Sequence, residues 1–514
     1  MKRLVNFRPI YFIVFGFING ILLAYFSYTF TTIKLGVTIA INLVAIATLS
    51  LLYVYKRSFN RRLAFCLVGY LLFLAIGGFS IFQVTDSFDK AFVEEKRYLG
   101  EGKVVSFSID KNGNSRMILD DVVLLDGNKE TKLKYKVYAF TDFKYDFEFG
   151  ERVIFDGEIE NLNLKEDGET IYSYYLFKDI KYTTNLSIYD VNFSPSDEGF
   201  FDTIRNKVKR IVYKNLDESV APTALALLIG STGDMEQTEL DGYRFSGIAH
   251  IFSVSGLHIG FMYIIFDFLL KRTPLPSVIK MIIISASLIF YAGLCFFVYP
   301  AIRAVIMCII AMVFKEFGEK NDSVTSTLLA YTICLLLNPY NLFDVGTIMS
   351  FVVALAIMIM MPYFQRKFSK LPDSLNSSLS MSITAFLSIT PIGMIYFGYG
   401  SVISMLLNLL LVPLVSAIYG MLLFVVTFSL IFGGIRILFL IPELLIRFTR
   451  DFTLAIPWEK IMITSIDLDL SVLFYYASLL VLVDFVNLKG KRKWITFISL
   501  NCVFVTLTII NNLT

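Results

Sequence analysis

The chain has 514 residues, 56% of them hydrophobic and 17% charged, with a mean hydropathy of +0.66 and a formal charge of only +3. These values exclude a soluble, strongly basic nucleic-acid binder and define a polytopic membrane protein. Five cysteines, all in apolar runs, and two histidines exclude a disulfide scaffold and a histidine-rich metal enzyme, so no metal or cofactor is expected.

Apolar runs near 10–30, 36–55 and 63–82 predict three N-terminal membrane helices within 1–82. Lys2, Arg3 and Arg8 precede the first and "KRSFNRR" (56–62) follows the second, which places the N-terminus in the cytoplasm and the chain after the third span outside. The first run lacks a small-residue cleavage pattern and is expected to stay as an anchor.

Residues 95–195 change character. Short alternating runs such as "KVVSFSI", "KLKYKVYAF" and "RVIFDGEIE" alternate with turn signals "KNGN", "DGNK" and "FGE", which predicts a β domain of about five strands, an OB-like barrel by size. Between 99 and 195 its net charge is −6, poor for drawing in a polyanion. One basic strip remains, Lys129, Lys132, Lys134 and Lys136 with Tyr135 and Tyr138; Lys132, Lys134, Tyr135 and Lys136 could follow a DNA backbone and stack bases, or form a solvated strand face.

Within 200–240, "FFDTIRNKVKRIVYKNL" (200–216) puts Phe201, Ile204, Val208, Ile211, Val212 and Leu216 on one arc and Lys207, Arg210 and Lys214 on the other. The pattern fits an amphipathic helix on the outer membrane surface or one packed on soluble structure. From 241 to 514 about ten more spans are expected, near 244–270, 281–298, 300–314, 324–338, 344–364, 378–398, 401–428, 431–449, 471–487 and 494–511. If they alternate, Lys271–Arg272, "QRKFSK" (365–370) and "KGKRK" (489–493) all fall inside and the C-terminus outside.

Both histidines, His250 and His258, lie in "AHIFSVSGLHIGF" (249–261). Were 247–261 one unbroken helix, Ser253, Gly256 and Gly260 would share a narrow face, with Gly256 and Gly260 spaced for close helix packing, and Ser255 and His258 would project roughly opposite, into a cavity. For the histidines the plainer reading is hydrogen bonding between helices. Ser255 and His258 also admit an intramembrane serine hydrolase, although position 253 is Ser where the rhomboid G-x-S-G has Gly.

This segment resembles the signature of the ComEC competence proteins, membrane channels for uptake of single-stranded DNA. Gly247, His250, Ile251, Ser255, Gly256, Leu257, His258, Ile259 and Gly260 match that family's "G-[LI]-x-H-[LI]-x-x-[IV]-S-G-L-H-[IV]-G". "IRAVIM" with Arg303, "LLLNPYNLFDVGTIMSF" with Asp344 and Ser350, and "YFGYGSVISMLLNLLLVPL" with Asn408 are similar to further family elements, although Thr347 and Ile348 replace the family's Phe and Gln. The resemblance implies a translocation path near His250, Ser253, Ser255, Gly256, His258 and Gly260, with Arg303 available to a phosphate. It further implies a bacterial cell-membrane location and work alongside a DNA receptor, a helicase-like ATPase and, because two histidines cannot build the family's metallo-β-lactamase-like domain, a separate nuclease. The chain itself is then no enzyme. A transporter of another solute or polymer is the alternative; no phosphate-binding loop is present, so energy would come from a partner or the membrane gradient.

Overall fold

The computed structural model describes residues 10–28, 60–109, 113–127, 129–145, 147–162, 175–194, 199–252, 254–318, 322–400, 402–456, 471–483 and 490–513, with Ile39, Trp458, Ile463, Thr464, Phe485 and Leu488. The expected span at 36–55 and the basic N-terminus lie outside these residues. The protein is a polytopic helical membrane protein carrying a β-sheet domain. Six described helices are long and apolar enough to cross a membrane, and two shorter apolar ones accompany them.

Helices α1 (Ile10–Tyr28) and α2 (Asn60–Lys90) pack backbone to backbone. A methyl group on Gly16 would stand 2.4 Å from the Tyr70 carbonyl oxygen, one on Gly20 2.0 Å from that of Leu74, and one on Gly77 2.4 Å from that of Phe17. Absent side chains let two membrane helices gain van der Waals contact that lipid alone does not drive. The α2 helix outruns its predicted span to Lys90: Thr85 hydrogen-bonds Tyr340 in the turn before α11, and Phe88 seats the β domain by meeting the Tyr135 ring edge to face at 5.2 Å.

The domain holds eight strands, β1 (Arg97–Ile109), β2 (Ser115–Asp126), β3 (Lys129–Lys132), β4 (Lys136–Thr141), β5 (Arg152–Glu158), β6 (Glu160–Asn161), β7 (Ile180–Leu186) and β8 (Val191–Ser194). Their order is β6-β7-β4-β2-β1-β5-β8, with β3 on β2. The path is open among the described residues: no ladder joins its ends into the expected barrel. Every pair is antiparallel except β4 with β7. Alternating residues Met117, Leu119, Val137, Ala139, Val153 and Phe155 form its core.

Helix α3 (Phe200–Asn215) joins the sheet to the membrane helices. Lys207, Arg210 and Lys214 face solvent as the pattern implies, but the opposite face is buried in protein, not lipid, and carries polar groups with partners. The Asn206 amide takes both backbone groups of Phe149, Asp202 meets Lys103 of β1, and Arg205 donates to the Leu294 carbonyl at 2.9 Å. Three short helices follow, α4 (Ala221–Ile229), α5 (Gln237–Phe245) and α6 (Ala249–Phe252).

The bundle continues with α7 (Gly256–Lys271), α8 (Ser277–Leu294), α9 (Tyr299–Glu316), α10 (Ser323–Leu337), α11 (Val345–Lys367), α12 (Asp373–Phe397) and α13 (Val402–Phe432). The expected span at 431–449 is not one. Gly433, at φ +88°, ends α13, and α14 (Leu440–Leu454) is a surface helix. Charges at Glu443, Arg447 and Arg450 explain it: Arg447 pairs with Asp217 and Arg450 donates to the Ser219 carbonyl, while Leu440, Ile441, Leu444 and Phe448 stay exposed. Helices α15 (Ser471–Leu482) and α16 (Lys491–Leu513) complete the chain.

Contacts sort the helix ends into two levels. Val14 packs with Val324, Leu328, Leu355 and Met358, whereas Tyr25 packs with Tyr340 and Phe343, on the side of the β domain. Lys367 and Lys493, from two of the basic clusters, both lie over the Tyr363 ring.

Candidate functional site

The segment 247–261 is not one helix. Gly247 adopts φ +82°, and a methyl group there would also meet the Ser404 Cβ at 3.0 Å, so both conformation and space require glycine. After α6 the chain breaks, and α7 restarts at Gly256 with Ser255 at its N-cap. Ser253 lies outside the described residues. The close packing expected of Gly256 and Gly260 is not seen: a methyl group on Gly260 would have nothing within 4 Å, and one on Gly256 would make only ordinary contacts.

His258 does not face a cavity. It is fully buried, its Nδ1 accepts the Ser255 amide N–H at 3.2 Å with the Ser255 hydroxyl at 3.3 Å, and its Nε2–H donates to the Leu227 carbonyl at 3.0 Å. These bonds fix the Nε2–H tautomer. Its ring lies edge to face with Tyr419, whose hydroxyl donates to Tyr291; Tyr291 in turn donates to the Leu228 carbonyl. Leu227 and Leu228 are in the last turn of α4, where carbonyls have no helical partner, so His258 and Tyr291 cap that helix from two others. Sequence reading missed the tyrosines; no local pattern marks them, because the contacts join residues 63 and 128 apart.

His250 is exposed, with Nδ1 2.9 Å from the Gly247 carbonyl oxygen, and Ser255 is half-buried. Asn408 of α13 packs on Gly247, its Oδ1 buried without a partner. Asp344 caps α11 by accepting the Thr347 N–H at 2.7 Å, and Ser350 is half-buried beside Phe351.

Arg303, in the first turns of α9, is 8% exposed, yet its Nε and Nη1 have no hydrogen-bond partner. Its guanidinium lies 5.1 Å from the Phe351 ring of α11, and its Nη2 is 3.8 Å from where a methyl group on Gly256 would be. The outer-domain strip is otherwise engaged. Lys132 pairs with Asp121 of β2 within the sheet, Lys134 donates to Ser87 of α2, and Tyr135 packs on Phe88, so part of that strip sits at the junction with the bundle while Lys132 and Lys134 stay exposed. Lys136 is half-buried. Among the described residues no group of three His, Cys, Asp or Glu could hold a metal ion.

A bundle of membrane helices carrying a sheet domain defines a multi-pass membrane protein. The competence protein family model matches residues 227–487, half of the chain, and the chain belongs to that family. It is 28% identical over 247 residues to ComE operon protein 3 of Bacillus subtilis (strain 168), covering 47% of this chain and 30% of that protein. It is 25% identical over 247 residues to an uncharacterized protein of Aquifex aeolicus (strain VF5), covering 47% of this chain and 56% of that one. The matched stretch thus spans less than two thirds of either relative. No solved structure matches.

Proposed function

We propose that this chain forms a path for single-stranded DNA across a bacterial cell membrane during competence. One observation carries the reading: the buried, unpaired guanidinium of Arg303 beside the helix break. A cation removed from water without a counter-charge costs several kcal/mol, roughly, and is retained in membrane proteins mainly where an anion visits. His250 and Ser255 serve as wall groups that hydrogen-bond a polyanion without trapping it, whereas Gly256 and Gly260 keep the wall low and His258 positions it. Asp344, Ser350 and Asn408 support the neighbouring helix starts.

The β domain fits an OB-like module, partly open, because a five-strand path β5-β1-β2-β4 ends in the parallel strand β7, and Gly157 of β5 faces Thr184 and Leu186 of β7. Any DNA contact by Lys132, Lys134, Tyr135 and Lys136 would use the parts of those side chains left free at the junction with α2. The N-terminus is cytoplasmic, and the β domain and C-terminus are outside. A DNA receptor, a separate nuclease and a cytoplasmic ATPase act with it. A serine hydrolase is disfavoured: the Ser255 hydroxyl does lie 3.3 Å from His258 Nδ1, but that nitrogen also accepts the Ser255 N–H, and Nε2 is held by the Leu227 carbonyl where such an enzyme has a carboxylate.

The test is uptake of labelled DNA by cells whose own copy of the gene is replaced. Wild-type chain should restore uptake of single strands, and Arg303→Gln should reduce it at unchanged membrane abundance. Full uptake without the gene would overturn the proposal, and uptake of a neutral solute instead would favour the transporter.

A further inference from the structure

Helix α7 begins in a half-buried position, with Ser255, Gly256 and Leu257 all partly accessible. The first amides of a helix have no carbonyl to receive them, and the helix dipole adds positive potential there. Alone this is true of every helix. Here a second group converges on the same point: Arg303, nine-tenths buried, with two guanidinium nitrogens unpartnered and the third approaching Gly256.

Among the described residues no carboxylate pairs with this charge. The surroundings of Arg303 are the Phe351 ring, Ala304 and the apolar cluster of Ala330, Cys334 and Phe351. The Ser255 hydroxyl is already engaged, 3.3 Å from His258 Nδ1. The start of α7 and the guanidinium together bring N–H donors to one point, the arrangement that phosphates meet at helix starts elsewhere.

We infer that the amino end of α7 and Arg303 together form an oxyanion seat that holds one phosphodiester group at a time. This deepens the proposal above and rests on it for the identity of the polymer; the chemistry recognised is that of a phosphate monoanion. Gly256 decides the size of the seat. A methyl group at this position fits at 3.8 Å from both Ala304 and Arg303, whereas a branched side chain would occupy the space between helix end and guanidinium. His258 acts from behind, since its bond to the Ser255 N–H sets the cap and turns that amide away from the ligand.

The full chain in lipid nanodiscs is treated with phenylglyoxal, which modifies accessible arginine, and Arg303 modification is read by peptide mass spectrometry with inorganic phosphate or with chloride at equal ionic strength. Phosphate and oligothymidylate should slow modification of Arg303 in wild type and in Gly256→Ala, and not in Gly256→Val, in which Arg303 should still react. Arg303→Gln should weaken oligothymidylate binding roughly tenfold, as expected for losing one charge-assisted contact. Equal modification with and without phosphate would overturn the seat, and equal protection in a well-folded Gly256→Val protein would remove the α7 end from it. In cells, Arg303→Gln with full uptake, while deletion of the gene abolishes uptake, sinks the seat and leaves the DNA path standing. Uptake unaffected by deletion sinks the path, and the phosphate measurement then judges the seat by itself.

Discussion

At the scale of single residues, the two histidines have separate tasks. His258 is a strut: it receives the part-buried Ser255 amide and caps the buried Leu227 carbonyl, so His258→Ala leaves that carbonyl buried without its partner. The expected loss is about 1–3 kcal/mol per unsatisfied group, seen as a lower thermal midpoint of the purified protein. His250→Ala should leave that midpoint nearly unchanged, because its one bond, to Gly247, is at an exposed ring. If the two variants melt alike, the division of labour is wrong.

Glu239 is a second residue with a definite signature. Its carboxyl is buried in α5 and takes hydroxyl donors from Thr223 of α4 at 2.5 Å and Tyr243 at 3.1 Å. Burial raises its pKa above the ordinary 4.5; the two hydroxyls and Arg450 pull the other way. A folded pKa above the unfolded one means that the folded state binds the proton more tightly, so stability falls as pH rises through the folded value. Glu239→Gln should therefore raise the melting temperature at neutral pH, with the gap closing as pH falls toward 4.5. A gap independent of pH would show that ionisation of Glu239 carries no penalty.

Between elements, the closest approach is α1 with α2, not the helices flanking Gly256 and Gly260. Gly20→Leu and Gly77→Leu push side chains into backbone oxygens and should abolish stable accumulation in the membrane. Gly78→Ala, with its nearest atom at 3.5 Å, should be tolerated. Normal expression of Gly20→Leu would remove the glycine seam. At the other junction, Asn206 of α3 holds the sheet by both backbone groups of Phe149, and Arg205 stacks on Phe296, 3.9 Å from its ring. Phe296 and Phe297 have φ of +60° and +49°, conformations that bulky residues adopt only when held. Asn206→Ala should loosen the sheet selectively, read as faster amide exchange at 147–150 than in α8.

For the whole molecule, the helix ends that carry Lys367 and the 491–493 basic run meet at Tyr363, while the sheet lies at the far end with Tyr25 and Tyr340. Cysteines replacing Lys367 and Arg492 should therefore react with an impermeant maleimide from one side, and one replacing Lys129 of β3 from the other. The positive-inside bias assigns the first pair to the cytoplasm. Labelling of Lys367→Cys and Arg492→Cys from opposite sides would break the arrangement.

Hydropathy alone determined that this is a membrane protein with a sheet domain between its first and later helices, because burial in lipid demands long apolar runs and a half-buried sheet demands alternation. The cluster of His250, Ser255, Gly256 and His258 stood out in the sequence as a candidate because histidine is scarce here and polar groups in membranes need partners. The same local signals misjudged Gly256 and Gly260 as a packing seam and read 431–449 as a span. Only the tertiary structure decided those points. Whether a glycine pair touches another helix depends on which helix lies opposite; the amphipathic run stays at the surface because Asp217 and the Ser219 carbonyl await its arginines. The non-helical Val254 and Ser255 and the unpaired Arg303 nearby belong to the same class, for capping of α4 by His258 and Tyr291 and the meeting of α9 with α7 and α11 arise from residues far apart in the chain.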